Sequence, residues 1–141
     1  MDGVEGLVAA WTEAWNAHDM RAAAALVAAD VEFVTVAGLW LRGRPEFQAH
    51  HERIHRGRMR DTTWTTHAHC ARSVSNGLCL AHLEWTICGE RDDDGAPCPP
   101  RRGIFTWIVR PQLAAWSIVA AHNTNLRADV ARRLAPEGSH A

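Results

Sequence analysis

The sequence predicts one α+β domain in which helices cover one face of a curved sheet. Three observations carry this. Apolar residues at helical spacing fill the first third of the chain, as at Leu7, Ala10, Trp11, Ala14 and Trp15. From about Thr62 onward, stretches rich in β-branched and aromatic residues read as strands over 62–73, 78–89, 103–110 and 115–123. The length, 141 residues, suits one hydrophobic core and not two. Helices followed by a meander of strands is the order of a segregated α+β architecture, not of alternating βα units. It leaves a concavity between sheet and helices, where a ligand would sit.

The elements follow in order. The first helix spans 3–17 and is broken by Asn16-Ala17-His18-Asp19. Asp19 is a good N-cap for a second, alanine-rich helix from Met20 to Ala28. A strand runs from Val31 to Ala37, and Gly38 and Gly43 bracket a short loop. Pro45 suits the first turn of a third helix reaching about His55. Its special positions, 47, 50, 51 and 54, lie on one helical face. The segment Glu90 to Arg102 contains Asp92-Asp93-Asp94-Gly95 and three prolines, and reads as a long, mobile hairpin connection. We read residues 1–125 as the domain and 126–141 as a weakly helical, fraying tail.

Composition narrows the function. Hydrophobic residues make up 47% and charged residues 22%, the balance of a soluble globular protein. A net charge of −1 offers no positive surplus for nucleic acid, and the basic run His55 to Arg60 reads as a solvated helix end. No run of 18 apolar residues is present, so no membrane span is expected. The N-terminus lacks a signal-peptide pattern, which makes the cytoplasm the expected location. The cysteines, Cys70, Cys79, Cys88 and Cys98, have no Cys-x-x-Cys spacing and are expected to be free thiols. Lysine is absent while alanine and arginine are abundant, which points to a GC-rich bacterial genome.

Several segments together resemble a known superfamily. Trp11-Thr12-Glu13-Ala14-Trp15-Asn16-Ala17-His18-Asp19, then Ala28-Ala29-Asp30-Val31-Glu32-Phe33, then the closing Trp116 to Thr124 resemble SnoaL-like and ketosteroid-isomerase-like proteins of the nuclear-transport-factor-2-like fold. Gly38-x-Trp40-x-Arg42-Gly43, the helical His51 and the terminal His122-Asn123-Thr124 are similar to the SgcJ/EcaC group. The resemblance covers residues 5–125. It implies a cone-shaped domain with one small-molecule pocket, a homodimer formed through the outer sheet face, and a place in natural-product pathways. Compared with ketosteroid isomerase, the tyrosine donor position holds Trp11, the base position Thr35 and the second donor position Trp107. Steroid isomerisation by that mechanism is therefore not expected. There is no Gly-x-Gly-x-x-Gly, so no dinucleotide fingerprint, and no cofactor is expected.

Candidate site residues follow, each with its plainer alternative. His51 shares a helical face with Phe47 and Ile54, and is either a pocket residue or a hydrogen-bonded core histidine. His122 alternates with Ala120, Ile118 and Trp116, and either faces the pocket or closes a strand end. Paired across a cavity, the two histidines would supply an acid and a base near neutral pH. Glu84 lies mid-strand, sharing a face with His82 and Thr86. A carboxylate facing the cavity would serve as a base, whereas the alternative is an exposed face. A one-residue bulge would reverse such assignments. Asn123 would donate at the mouth, unless it serves a strand-end turn. Trp11, Thr35, Trp40, Phe47, His82 and Trp107 complete the expected substrate-contacting set. Leu83, Trp85 and Ile87 would form the outer apolar patch of a dimer, and Trp64, Trp85 and Trp116 read as core or dimer packing. His67 with His69, and His51 with His55, have metal-capable spacings without a third ligand, so no metal is expected. The partner expected is a hydrophobic or aromatic metabolite. The reaction expected is cofactor-independent cyclisation, isomerisation or dehydration, with a non-catalytic binding protein as the alternative.

Overall fold

A stripe of Val4, Leu7, Val8, Trp11, Ala14 and Trp15 is buried along helix α1 (Asp2–Asn16), as its helical spacing dictates. The computed structural model describes residues 2–112, 115–127 and 129. Helix α1 ends where His18 turns left-handed, at φ 55°, and the Asp19 N–H reaches back to the Ala14 carbonyl at 2.9 Å. Asp19 then caps α2 (Met20–Ala24), its Oδ1 accepting the Ala22 N–H at 2.9 Å.

Helix α2 stops short of the alanine run that suggested it. Val27 and Ala28 leave the helix to open β1 (Val27–Val34), since Val27 pairs with Ile118 and both side chains are fully buried. Tertiary pairing here overrides local helix propensity. The expected loop between Gly38 and Gly43 contains a three-residue strand, β2 (Trp40–Arg42), antiparallel to β1. Gly43, at φ 86°, and Pro45 open α3 (Arg44–Arg56), which buries Phe47, His51 and His55 at four-residue intervals.

Strands β3 (Thr63–Ser75), β4 (Leu78–Cys88), β5 (Arg101–Gln112) and β6 (Ala115–Asn125) form an antiparallel meander. The sheet order is β2-β1-β6-β5-β4-β3, with β1 and β6 parallel. The sheet is curved and unclosed, and among the described residues three named helices, α1, α2 and α3, accompany it. Its inner face carries Leu83, Trp85, Ile87, Phe105, Trp107, Val109 and Ile118, each at most 3% exposed. Burying each tryptophan contributes about 4–6 kcal/mol gross of hydrophobic stabilisation. Leu83, Trp85 and Ile87 are thus inner-face residues, which corrects their expected role as an outer patch. They are the bulky apolar half of an alternating strand, and that half packs under the helices.

Strand β6 carries a bulge. Ile108 pairs with Ala120 and Val109 with Ile118, so Val119 is an extra residue. Before it, Ile118 points inward; after it, Ala121 is buried and His122 is exposed. The bulge switches His122 to the outer face.

The segment between β4 and β5, expected as a long, mobile hairpin connection, is crossed by hydrogen bonds and an ion pair. The Asp92 Oδ1 accepts the N–H groups of Asp94 and Ala96, Arg91 bridges Pro97, and the Arg91 guanidinium pairs with Asp61 at 2.6 Å. The expected tail falls mostly outside the described residues. Among these, the Leu126 N–H donates to the Arg102 carbonyl. No helix among the described residues is long and apolar enough to cross a membrane.

Candidate functional site

The curvature of the sheet and the position of α3 leave a cavity of about 530 Å³. Its apolar wall comes from Trp11 and Trp15 on α1, Phe33 on β1, Ile54 on α3, and Trp64, Trp85 and Ile87 on β3 and β4. Trp64 and Trp85 stack with centroids 5.0 Å apart, and Trp11 meets the edge of Trp64 at 5.8 Å. Flat aromatic faces of this kind favour flat, conjugated or apolar ligands.

His51 is the histidine set deepest in this wall, at 4% exposure. Its Nδ1 lies 2.8 Å from the Phe47 carbonyl oxygen. A carbonyl only accepts, so Nδ1 carries the proton and the neutral ring keeps its lone pair on Nε2. Burial pushes the imidazole pKa down to about 3, further lowered by His50 and His55 and only partly offset by the Phe47 bond. The ring is therefore neutral at pH 7 and lines the cavity as a hydrogen-bond acceptor. Its neighbour His50 is partly buried, and burial and Arg53 lower its pKa.

The polar end lies where Glu90 meets two arginines. The Glu90 carboxylate accepts from Arg58 Nε at 3.3 Å and from Arg101 Nε at 3.0 Å. Arg58 also reaches Asp93 at 3.2 Å, and Arg101 donates to the Asn125 Oδ1 at 2.7 Å. The Trp85 indole N–H donates to the Asn123 Oδ1 at 2.7 Å. All of these except Asp93 line the cavity, together with Thr35 and Cys98.

Of the residues expected at the site, His51, Trp11, Thr35 and Asn123 line this cavity. Phe47 and Trp107 are fully buried one layer behind it, packing on Trp11 at 6.1 and 6.2 Å. Trp40, expected among the substrate contacts, does not line the cavity. It is 55% exposed, its N–H donates to Glu32, and the Arg42 guanidinium lies 3.7 Å above its ring. His82 and Glu84 are exposed on the outer sheet face, opposite Thr106 and Ile104, because alternation places Leu83 and Trp85 inside. His122 is exposed on the same outer face beside Thr106, put there by the bulge at Val119. The expected pair of His51 and His122 across one cavity is therefore not formed, and Glu84 does not reach it.

Sequence reasoning missed Glu90, Arg58, Arg101 and Asn125. They sit in or beside a loop whose composition signals only turns, and partners such as Arg58 and Glu90 lie 32 residues apart. Trp64 and Trp85, expected as core or dimer packing, are core residues, and both also line the cavity.

A second histidine pair lies at the α1–α3 junction. The Nδ1 atoms of His18 and His55 are 2.8 Å apart, so one ring donates to the other. His55 stands on the Trp15 ring at 4.4 Å, its Nε2 is buried without a partner, and burial and His18 push its pKa down to about 4. Among the described residues, no three histidine, cysteine or acidic side chains come together as metal ligands.

Fold and cavity together define an α+β protein of the cystatin-like, nuclear-transport-factor-2-like class, with a cavity between sheet and helices. The chain belongs to the SnoaL-like domain family, whose model matches residues 8–115. A protein with a cystatin-like fold from Caulobacter vibrioides is similar over 94% of each chain, with 23% identity and a TM-score of 0.86. An NTF2-like protein from Novosphingobium aromaticivorans is 21% identical, with 94% of this chain and 85% of that one covered and a TM-score of 0.76. A scytalone dehydratase candidate from the same organism is 16% identical over 90% and 84% of the two chains, with a TM-score of 0.76. No curated protein matches the chain.

Proposed function

We propose that the chain is a cytoplasmic, cofactor-independent enzyme of bacterial natural-product metabolism. It acts by proton transfer on a flat, largely apolar, polyketide-type molecule, by cyclisation, isomerisation or dehydration. The observation that carries this reading is the aromatic cavity with the neutral His51 in its wall and a polar Arg58–Glu90–Arg101 end. His51 receives or orients a substrate hydroxyl proton through Nε2, and the aromatic faces hold the conjugated body. The dehydratase candidate of the same fold supports the dehydration variant. Membership of the SgcJ/EcaC group rests on Gly38-x-Trp40-x-Arg42-Gly43, His51 and His122-Asn123-Thr124. The chain pairs as a homodimer through the outer sheet face, which carries Leu80, Ile104 and Ile108 part-exposed; its mass in solution checks this.

The test is incubation with extracts of the producing organism, followed by mass spectrometry of retained and newly formed compounds. New masses that disappear with His51→Gln, while the folded spectrum persists, support turnover. Undiminished conversion by His51→Gln defeats the proton-transfer role. One observation favours a second reading. A histidine with a pKa of about 3 is a weak base, and Glu90 is already held by two arginines. A non-catalytic carrier needs only the walls and polar anchors, and a ligand returned unchanged at every pH would identify it.

A further inference from the structure

The polar end of the cavity is more specific than its charges suggest. Asn123 and Asn125 are two apart on β6, so their side chains share the inner face. Each amide is anchored by a group that can only donate. The Trp85 indole N–H meets the Asn123 side chain, and the Arg101 guanidinium meets that of Asn125, both at 2.7 Å. A donor must face an oxygen, so the partner chemistry fixes which way both amides turn. Both carbonyl oxygens are spent on the wall. Both NH2 groups remain, on residues that line the cavity, Asn123 half-buried and Asn125 exposed.

We infer that Asn123 and Asn125 form a paired amide-donor site for a carbonyl oxygen of the ligand, so that the ligand is an aromatic or conjugated ketone or quinone. This deepens the proposed function and rests on its pocket. A carbonyl oxygen has two lone pairs and accepts two N–H donors from one side. Trp85 links the two parts of the site: its ring, stacked on Trp64, is fully buried in the cavity wall, while its N–H sets the Asn123 amide. A ketone conjugated to a flat ring would thus lie along the aromatic wall with its oxygen toward β6. A hydrocarbon of the same shape would leave the half-buried Asn123 NH2 without a partner, which is how a polar site rejects an analogue lacking the polar atom.

The test uses 1-tetralone and tetralin, which share a bicyclic skeleton and differ in the carbonyl. Affinities are measured by calorimetry and by the shift of the Trp85 indole N–H resonance. The wild type is expected to prefer tetralone by about tenfold, the worth of one to two neutral hydrogen bonds. Asn123→Asp and Asn125→Asp keep the oxygen that accepts from Trp85 or Arg101 and replace the NH2 donor with a second acceptor. Each is expected to lose most of the preference, while tetralin affinity stays within about twofold. Preference retained in both variants overturns the donor pair and leaves the pocket reading standing, since both probes still bind. If neither probe binds the wild type, the pocket reading falls and the donor pair with it.

Discussion

Acid should unfold this protein through His51, and the size of the effect follows from its surroundings. Burial lowers the folded-state pKa from the ordinary 6.5 to about 3. The unfolded chain therefore binds the proton more readily than the folded one. The stabilising contribution is complete above pH 6.5 and is lost progressively as pH falls from there towards 3. Between pH 7 and pH 5 the unfolded state gains about 0.7 of a proton at this site, and linkage gives at most about 2 kcal/mol of lost stability. His51→Leu removes the titration at nearly constant volume. It leaves no orphan at Phe47, whose carbonyl sits four residues earlier in the same helix and still receives the backbone N–H. The assay is urea unfolding at pH 7 and pH 5, followed by tryptophan fluorescence. The wild type is expected to lose about 2 kcal/mol more than His51→Leu between the two conditions. His55 shifts in the same direction but is present in both proteins and cancels. Equal losses would show that the His51 ring is not held neutral in the folded state, and its role as an acceptor would fail with that.

Three further outcomes can be checked directly. Gly103 has no room for a Cβ, which would run into the Trp85 ring and the Thr124 carbonyl oxygen; Gly103→Ala should cost about 3 kcal/mol in thermal or chemical unfolding and shift the tryptophan emission. Glu90→Gln loosens the Arg58 and Arg101 pairs, so the β4–β5 segment should exchange amide hydrogens faster, with a stability loss of about 1–3 kcal/mol. Glu84→Ala and His122→Ala change side chains on the outer face, and tetralone affinity should be unaltered in both; a loss in either would place that side chain in the cavity after all.

The helices and the meander were legible because their apolar residues repeat at 3.6 or at 2. The same period put Leu83, Trp85 and Ile87 on one face of β4, yet could not say which face. That depends on where the helices land, and they land on the bulkier side. His51 was legible from its helical face with Phe47 and Ile54, and its neutral state follows only from the burial and the Phe47 carbonyl.

His122 shows the boundary most sharply. Strict alternation carries it inward with Ile118, and one extra residue, Val119, turns it out. Nothing in the local sequence marks that bulge, because it is set by how β6 must pair with β5 on one side and β1 on the other. Val27 went the other way, leaving an alanine-rich helix for a strand once Ile118 stood opposite. The sequence by itself determined the class of fold and the order of its helices and longer strands, since these depend on local periodicity and residue type; of the aromatic residues that line the cavity it placed only Trp11 there. Only the tertiary structure decided which polar groups share that cavity. Arg58, Glu90, Arg101, Asn123 and Asn125 meet through contacts between residues far apart in the chain, and such contacts leave no period to read.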